Sequence, residues 1–469
     1  MDRERLEGSI LGFQGRSRKE ASFVMKFMHV GSWPATRAVC IGAVAVGLAC
    51  GRSQAAERTS HVASASHIAS ASHIASARAT ITAAEAGRHV AALADDAFEG
   101  REAGSRGGRA AGAYIVDAID ELGFEPAGDA GTYYQSFGSM RNILALVRGG
   151  DPTVADELVV VSAHYDHVGY GNASNSYGPT GFIHNGADDN ASGVAGLIEI
   201  AEAIQRLPSH PRRSILIAFW DGEEKGLLGS SHFLRVRPEP LRSFPIAFCI
   251  NLDMIGRLRG KRVEVYGSRT ASGLRALTVA ANNRPAGESL ELSFDWKIDP
   301  DSDHYPFIEN RIPTLMFHTG LHEHYHRPSD DVHLVNLDGL EPVARLTFET
   351  VMMVADEPGP RRSFRPECRS ESESSRRTLE AVAASGKRGR WGIGTRSDAA
   401  EPPAPVVVRV APESPAARAG LIVGDRIVAL DGQPLLDQDE MVKRLGSAAG
   451  RVAVEVDRRG RLVGLEMAE

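Results

Sequence analysis

Cysteine is scarce in this chain: four among 469 residues, at Cys40, Cys50, Cys249 and Cys368. Only two lie beyond residue 50, which excludes a disulfide framework, and no pair has the spacing of a zinc finger. A metal, if one is held, must therefore be held by His, Asp and Glu. A surplus of positive charge is also missing. The 53 Lys and Arg against 60 Asp and Glu leave a net charge of -7, which gives no reason to expect nucleic acid as a partner. Long apolar runs are absent too. The best one, residues 38–49, is about a dozen residues, the size of a signal-peptide core and too short to span a bilayer.

That run has Arg37 before it and Gly47-Leu48-Ala49-Cys50 at its end. Residues 1–50 therefore read as an export signal, with a true start at Met25 giving Lys26 and Arg37 as its basic segment. Small residues before Cys50 resemble a bacterial lipoprotein processing site, although Leu48 sits one place later than the usual pattern. The expected location is outside the cytoplasm, with a lipid on Cys50 as the one contact with a membrane. Residues 51–80 include the repeat SHVASA, SHIASA, SHIASA, too poor in bulky side chains to form a core, and read as a flexible tether.

Globular composition begins near Ile81. Apolar residues recur at helical spacing over 106–122, with Gly123 as a stop. Strand-like runs follow at 142–147, 158–162, 214–219, 246–251 and 313–317. Between them, 191–206 places Val194, Leu197, Ile198 and Ala201 on one helical face behind Asn190 as N-cap, and 337–354 reads as a closing helix. This alternation predicts an α/β three-layer sandwich with a mostly parallel central sheet over residues 81–357. Residues 358–390, rich in Pro, Ser and Arg, read as a disordered linker.

The titratable residues cluster where these strands end. The strand 158–162 runs into His164 and Asp166, 214–219 into Asp221, Glu223 and Glu224, 246–251 into Asp253, and 313–317 into a loop with His322, His324 and His326. In an open parallel sheet ligands bind outside the carboxyl ends of the strands, so several strands deliver candidate metal ligands to one rim. Asp188 and Asp189 open the helix near Ala191. Alone they would read as capping residues; beside the other segments they read as ligands.

Five segments in this order, SAHYDH, GADDNASG, FWDGEEKGLLGS, NLDMIGR and SDHYPF…YHRPSDD, resemble the co-catalytic dizinc aminopeptidases of metallopeptidase family twenty-eight, over roughly residues 85 to 356. The resemblance implies two Zn²⁺ ions bridged by Asp188, with His164 and Asp253 on one and Glu224 and His326 on the other. It implies a cis peptide after the bridging residue, Asp188-Asp189. It also implies Glu223 as general base, Asp166 as the partner of the far nitrogen of His164, and Tyr325 as a hydrogen-bond donor to the oxyanion. His167, His184, His232 and His333 are set aside as structural or exposed, and His304 and Asp303 as neighbours of the ligands. The implied activity is removal of N-terminal residues from peptides. The same constellation serves carboxypeptidase-like and glutaminyl-cyclase-like relatives, and a catalytically silent scaffold is the alternative from another class.

Residues 391–469 resemble a small, mainly-β PDZ domain, on Trp391-Gly392-Ile393-Gly394, the run 413–421 (ESPAARAGL) and the run 424–432 (GDRIVALDG). The resemblance implies a groove beside a helix over 437–445, with Gly392, Ile393 and Gly394 as a nest for the end of a bound peptide. The first loop departs from the Gly-Leu-Gly-Phe form usual there.

Overall fold

A computed structural model describes residues 71–284, 289–384 and 389–469 of the chain. The expected export signal, Cys50 and the three repeat histidines except His73 lie outside these residues. The end of the expected tether is helical over 71–78, where Ile74 and the buried Ala77 pack against the main core.

The strands of the first domain are β1 (Glu125–Pro126), β2 (Tyr134–Phe137), β3 (Met140–Val147), β4 (Leu158–His164), β5 (Ser214–Trp220), β6 (Ile246–Leu252), β7 (Arg262–Tyr266), β8 (Glu291–Phe294) and β9 (Thr314–His318). They form one sheet in the order β1-β3-β5-β4-β6-β9-β7-β8, with β2 on β3. The central run β5-β4-β6-β9 is parallel. On its flanks β3 is antiparallel to β5 and β7 to β9, so the sheet is mixed, with parallel pairing concentrated at its centre. The five expected strands are all present, each within about two residues of its expected ends. β7 and β8 lie outside the expected set: β7 alternates exposed or half-buried residues with Val263 and Val265, a weaker signal than the continuous apolar runs of buried strands.

Alternate side chains of the central strands feed two separate cores, which is what makes three layers. Val159, Val161, Ile215, Ile217 and Ile250 face the helices Ala83–Leu93, Gly193–Gln205 and Leu337–Ala355. Leu158, Val160, Leu216, Trp220 and Cys249 face the other way, against Phe233 of Leu228–Arg235 and Phe307 of His304–Glu309. The helix Gly193–Gln205 is buried along nearly its whole length; it begins two residues later than expected, with Ser192 rather than Asn190 at its N-cap, and Asn190 Oδ1 accepts the Gly193 N–H at 3.0 Å from the turn before it. Among the described residues no helix is long and apolar enough to cross a membrane.

The second domain has strands β10 (Ile393–Arg396), β11 (Val406–Val410), β12 (Arg426–Leu430), β13 (Gln433–Pro434), β14 (Arg451–Arg458) and β15 (Arg461–Ala468). They pair antiparallel in the order β10-β11-β12-β14-β15, with β13 on β12, around a core that includes Trp391, Val407, Ile427 and Met441. The expected groove helix is Gln438–Ser447, capped by Asp437.

Residues 358–384, expected to belong to a disordered linker, are instead held in place. Pro366–Arg369 and Glu373–Glu380 are helical and Cys368 is buried. The arginines that suggested a solvated segment are spent on specific partners. Arg362 binds Glu357 and the Ser272 carbonyl, Arg365 binds Glu371, and Arg369 binds the Ile308 and Glu309 carbonyls.

The two domains meet through a buried ionic network. Arg269 donates to Glu371 at 2.6 and 2.8 Å and to Asp398 at 3.0 Å, and Arg426 reaches the same Asp398 at 2.9 Å. Glu401 accepts the Arg275 N–H at 2.7 Å and Arg275 binds Asp457 at 2.6 Å. The Gly460 carbonyl takes amide hydrogens from Asn282 and Asn283 at 2.8 Å each. Gly460 sits at φ +82°, and a Cβ there would lie 2.4 Å from Leu292, so a glycine is required on both counts.

Arg269→Met leaves Glu371 and Asp398 short of a buried partner and should lower stability by about 3 kcal/mol in urea unfolding. Burial works against the charge of Glu371 and Asp398, but Arg269 with Arg365 on the first, and Arg269 with Arg426 on the second, hold both carboxyls down at about 2. Their contribution is therefore complete above the ordinary carboxylate range and is lost as pH falls through about 2. The wild type should lose stability over that acid window more steeply than Arg269→Met.

Candidate metal centre

The rim at the carboxyl ends of β4, β5, β6 and β9 is assembled by carboxylates that bind backbone. The Tyr165 N–H donates to the Trp220 carbonyl at 2.9 Å, extending the β4–β5 pairing beyond the strands. The Asp166 carboxylate then accepts the N–H groups of Glu223 and Glu224 at 3.0 and 3.3 Å. Asp330, from the loop after β9, accepts those of Asp188 and Asp189 at 2.9 and 3.1 Å through one oxygen, while its other oxygen meets Arg257 at 3.1 Å. Beneath the rim Arg101, 1% exposed, donates to the carbonyls of Tyr165, Leu93, Asn185 and Gly186 at 2.6 to 2.9 Å.

Two groups of donors result, and Asp189 belongs to both: His164, Asp189 and Asp253 on one side, and His167, Asp189, Glu224 and His326 on the other. The Asp189 carboxylate offers one oxygen to each. Its Oδ1 lies 3.4 Å from His164 Nε2, and its Oδ2 lies 3.1 Å from His326 Nε2 and 3.6 Å from His167 Nδ1. His164 Nε2 is also 3.5 Å from Asp253 Oδ1, and His326 Nε2 is 3.2 Å from Glu224 Oε2.

These distances correct two expectations. Asp188 belongs to neither group: its Oδ1 accepts Ser192 Oγ and the Gly256 N–H at 2.9 and 2.6 Å, and its Oδ2 lies 3.2 Å from His322. The adjacent Asp189 occupies the shared place, and the cis peptide lies one residue later than expected, between Asp189 and Asn190. The second correction concerns Asp166. The far nitrogen of His164 meets the Asp166 backbone carbonyl at 3.1 Å rather than the carboxylate, whose nearer oxygen is 3.8 Å away and committed to Glu223 N–H.

His167, set aside from sequence, is brought into the site. Its Nδ1 donates to Glu224 Oε1 at 2.9 Å, its side chain is buried, and Gly186 (φ +54°) leaves space for its ring, where a Cβ would approach within 2.5 Å. Its position three residues after His164, the last residue of β4, was the available signal. His324 instead bonds Ser329, and His184 bonds Ser176. Tyr325 stacks on His326 with ring centroids 3.9 Å apart. Gly392, Ile393 and Gly394 lie at the start of β10, the edge strand of the second sheet, and the Trp391 indole N–H beside them donates to the Leu445 carbonyl of the groove helix at 2.7 Å.

The electrostatics separate the carboxylates. Burial disfavours the charge of Asp189, but His167, His164 and His326 outweigh it and hold this carboxyl well below its usual range. Burial likewise opposes charge on His326, yet Asp189 and Glu224 push it up to about 10. Glu223 belongs to neither donor group, and burial, aided by Glu224, Asp303 and Asp253, drives its carboxyl well above the usual range. Asp303, buried and bonded to Ser230 at 2.5 Å, is raised to about 7 chiefly by burial. Imidazole and carboxylate donors in two adjoining, buried groups suit zinc, and the buried Asp253 Oδ1 has no hydrogen-bond partner.

Residues 142–351 match Peptidase family M28, and residues 406–458 match the PDZ domain. The chain is 30% identical over 203 residues to Aminopeptidase YwaD of Bacillus subtilis, covering 42% of this chain and 40% of that one. It is 29% identical over 212 residues to the Probable lipoprotein aminopeptidase LpqL of Mycobacterium tuberculosis, covering 40% and 38%. The chain thus spans about two fifths of the length of these curated relatives. The Legionella pneumophila LapA aminopeptidase structure superposes with a TM-score of 0.51 at 18% identity, over 61% of this chain and 75% of that one, a likeness of fold.

Arg101→Met keeps the buried stem but leaves four carbonyls without their donor. It should lower the free energy of unfolding by at least about 3 kcal/mol, measured by urea denaturation.

Proposed function

With a peptidase family M28 domain and a PDZ domain in one chain as premise, we propose that this protein is a zinc-dependent aminopeptidase that removes N-terminal residues from peptides. The observation that carries the reading is the Asp189 carboxylate, which turns one oxygen toward each of two adjoining donor groups. Asp189 would bridge two zinc ions, His164 and Asp253 completing one set and Glu224 and His326 the other. His167 holds Glu224 through its Nδ1–H and fixes the orientation of that carboxylate. Two zinc ions bound there would supply Lewis acidity toward a water and the scissile carbonyl.

The chain's own residues supply the rest. Glu223 is the general base: it takes the proton of the attacking water at a carboxylate oxygen and later gives it to the leaving amine. Asp166 positions Glu223 and Glu224 by accepting both backbone N–H groups, and so sets the base relative to its ligand neighbour. Tyr325, braced against His326, donates its hydroxyl proton in a hydrogen bond to the substrate carbonyl oxygen as negative charge grows there. The names of YwaD and LpqL favour an amino-terminal substrate over the carboxypeptidase-like and cyclase-like alternatives.

The unpaired edge of β10, beside the helix Gln438–Ser447, offers a place for an extended peptide to add as a strand, with Gly392 to Gly394 at its end. Export with a lipid on Cys50 completes the proposal, in line with the lipoprotein named among the relatives.

Glu223→Gln should lower kcat on aminoacyl chromogenic substrates by ~10²–10⁴-fold while the zinc content stays at the wild-type value. Loss of zinc in this variant would reverse the roles of base and ligand. Asp189→Asn should reduce zinc at both positions, whereas Asp188→Asn should keep both. Equal retention by the two variants, measured by elemental analysis, would reject the bridge.

A further inference from the structure

A third cluster of metal-ligating side chains stands apart from the rim and shares no residue with it. A ring nitrogen of His89 and one carboxylate oxygen each of Glu199 and Glu202 lie within 4.8 Å of one another. His89 comes from the helix Ala83–Leu93, and the two glutamates, three residues apart, come from one side of Gly193–Gln205, against which the first helix packs. We propose that this cluster is a structural site for one divalent transition-metal ion of the zinc type, clamping the first helix to the sandwich. This inference is independent of the catalytic reading.

Three features argue for an ion rather than a chance grouping of surface acids. Glu199 is 1% exposed. Its Oε2 accepts the Thr82 N–H at 2.9 Å, while the buried Oε1 has no hydrogen-bond partner, an arrangement costly to leave unmet. His89 is already oriented as a metal ligand is: its Nδ1 bonds the Tyr114 hydroxyl at 2.8 Å, which leaves Nε2 for the cluster and fixes the ring. Among the described residues no arginine or lysine forms an ion pair with Glu199 or Glu202: Arg88 of the first of these helices is exposed and pairs with Glu85 at 3.2 Å, and Arg88 and Arg206 act on Glu202 only from a distance. One imidazole and two carboxylates from a helix pair are a donor set suited to zinc, with water filling the remaining position. Because Glu199 also holds Thr82, which caps the first helix, the ion would fasten the chain where the sandwich begins.

The test uses the full chain, stripped by chelator, reloaded with zinc and freed of excess by gel filtration. His89→Gln and Glu202→Gln, both at half-buried positions, are compared with wild type for zinc per chain, thermal midpoint with and without zinc, and kcat. Each variant should bind one equivalent less than wild type, gain a smaller zinc-induced rise in Tm, and keep its kcat. The same one-equivalent difference should persist in an Asp189→Asn background, which separates this site from the catalytic one. Equal zinc content in wild type and variants would overturn the proposal. Should a variant fail to fold, anomalous diffraction at the zinc edge on wild-type crystals decides: a peak beside His89 and Glu199 supports the site, and its absence at saturating zinc refutes it.

Discussion

Buried negative charge is the constraint on which the first domain depends. Asp166, Asp188, Asp189, Asp253, Asp303 and Asp330 are each less than 10% exposed, and the half-buried Glu223 and Glu224 lie beside them. So many carboxylates survive together only if each has a specific means of neutralisation. The structure divides them into two kinds. Asp166 and Asp330 accept backbone N–H groups, Asp330 with Arg257 as well, and Asp188 accepts the Gly256 N–H and the Ser192 hydroxyl through Oδ1 while its Oδ2 faces His322; these bonds fix loop geometry. Asp189, Glu224 and Asp253 face histidines instead. The first kind builds the site; the second kind is left able to bind a cation. Glu223 is of neither kind, which accords with the proposed role of a group that gains and loses a proton.

The parallel centre of the sheet makes this concentration possible. Four strands running the same way end on one side, so loops far apart in sequence converge without long excursions. Apolar side chains on both faces pack those strand ends, and Arg101 closes the floor by donating to four carbonyls, of which that of Gly186 also accepts the Ala191 N–H. The precise placement of the rim side chains thus rests on burial elsewhere, in the layers beneath the rim.

Much of this was legible in the sequence, and the failures have physical causes. The continuous apolar runs of β4, β5, β6 and β9 announce buried strands, and the titratable residues after each fall at the rim as expected. His326 was separable from His324 because its motif, Tyr-His followed by Asp, carried position. Asp188 and Asp189 were not separable: both are buried and acidic, and backbone conformation at 188–190 decides which carboxylate enters the cluster. His167 looked ordinary because its role is set by the space above Gly186, a property of φ and of a missing Cβ. The arginines of 358–384 misled in the opposite sense. Composition describes them as solvated, but Arg365 and Arg369 find carboxylates and carbonyls contributed by distant parts of the chain or by turns no periodicity reveals.

The placement of the second domain follows the same logic. Its network of Arg269, Asp398 and Arg426 lies beyond β7, on the antiparallel flank of the sheet rather than on the parallel half that bears most of the rim. Only one short route joins the two. Arg269 precedes Thr270, whose hydroxyl accepts the Thr314 N–H at 2.9 Å, and Thr314 begins β9, the strand that leads to His326. A domain docked here can be bound tightly without crowding the ends of β4, β5 and β6. Its own edge strand, β10, stays free for pairing because the docking surface is built from the loop before β11, the turn at Gly460 and the start of β12. Attachment thus uses parts of this small sheet other than the edge strand β10, so the domain is fixed in place without that edge being used for the attachment.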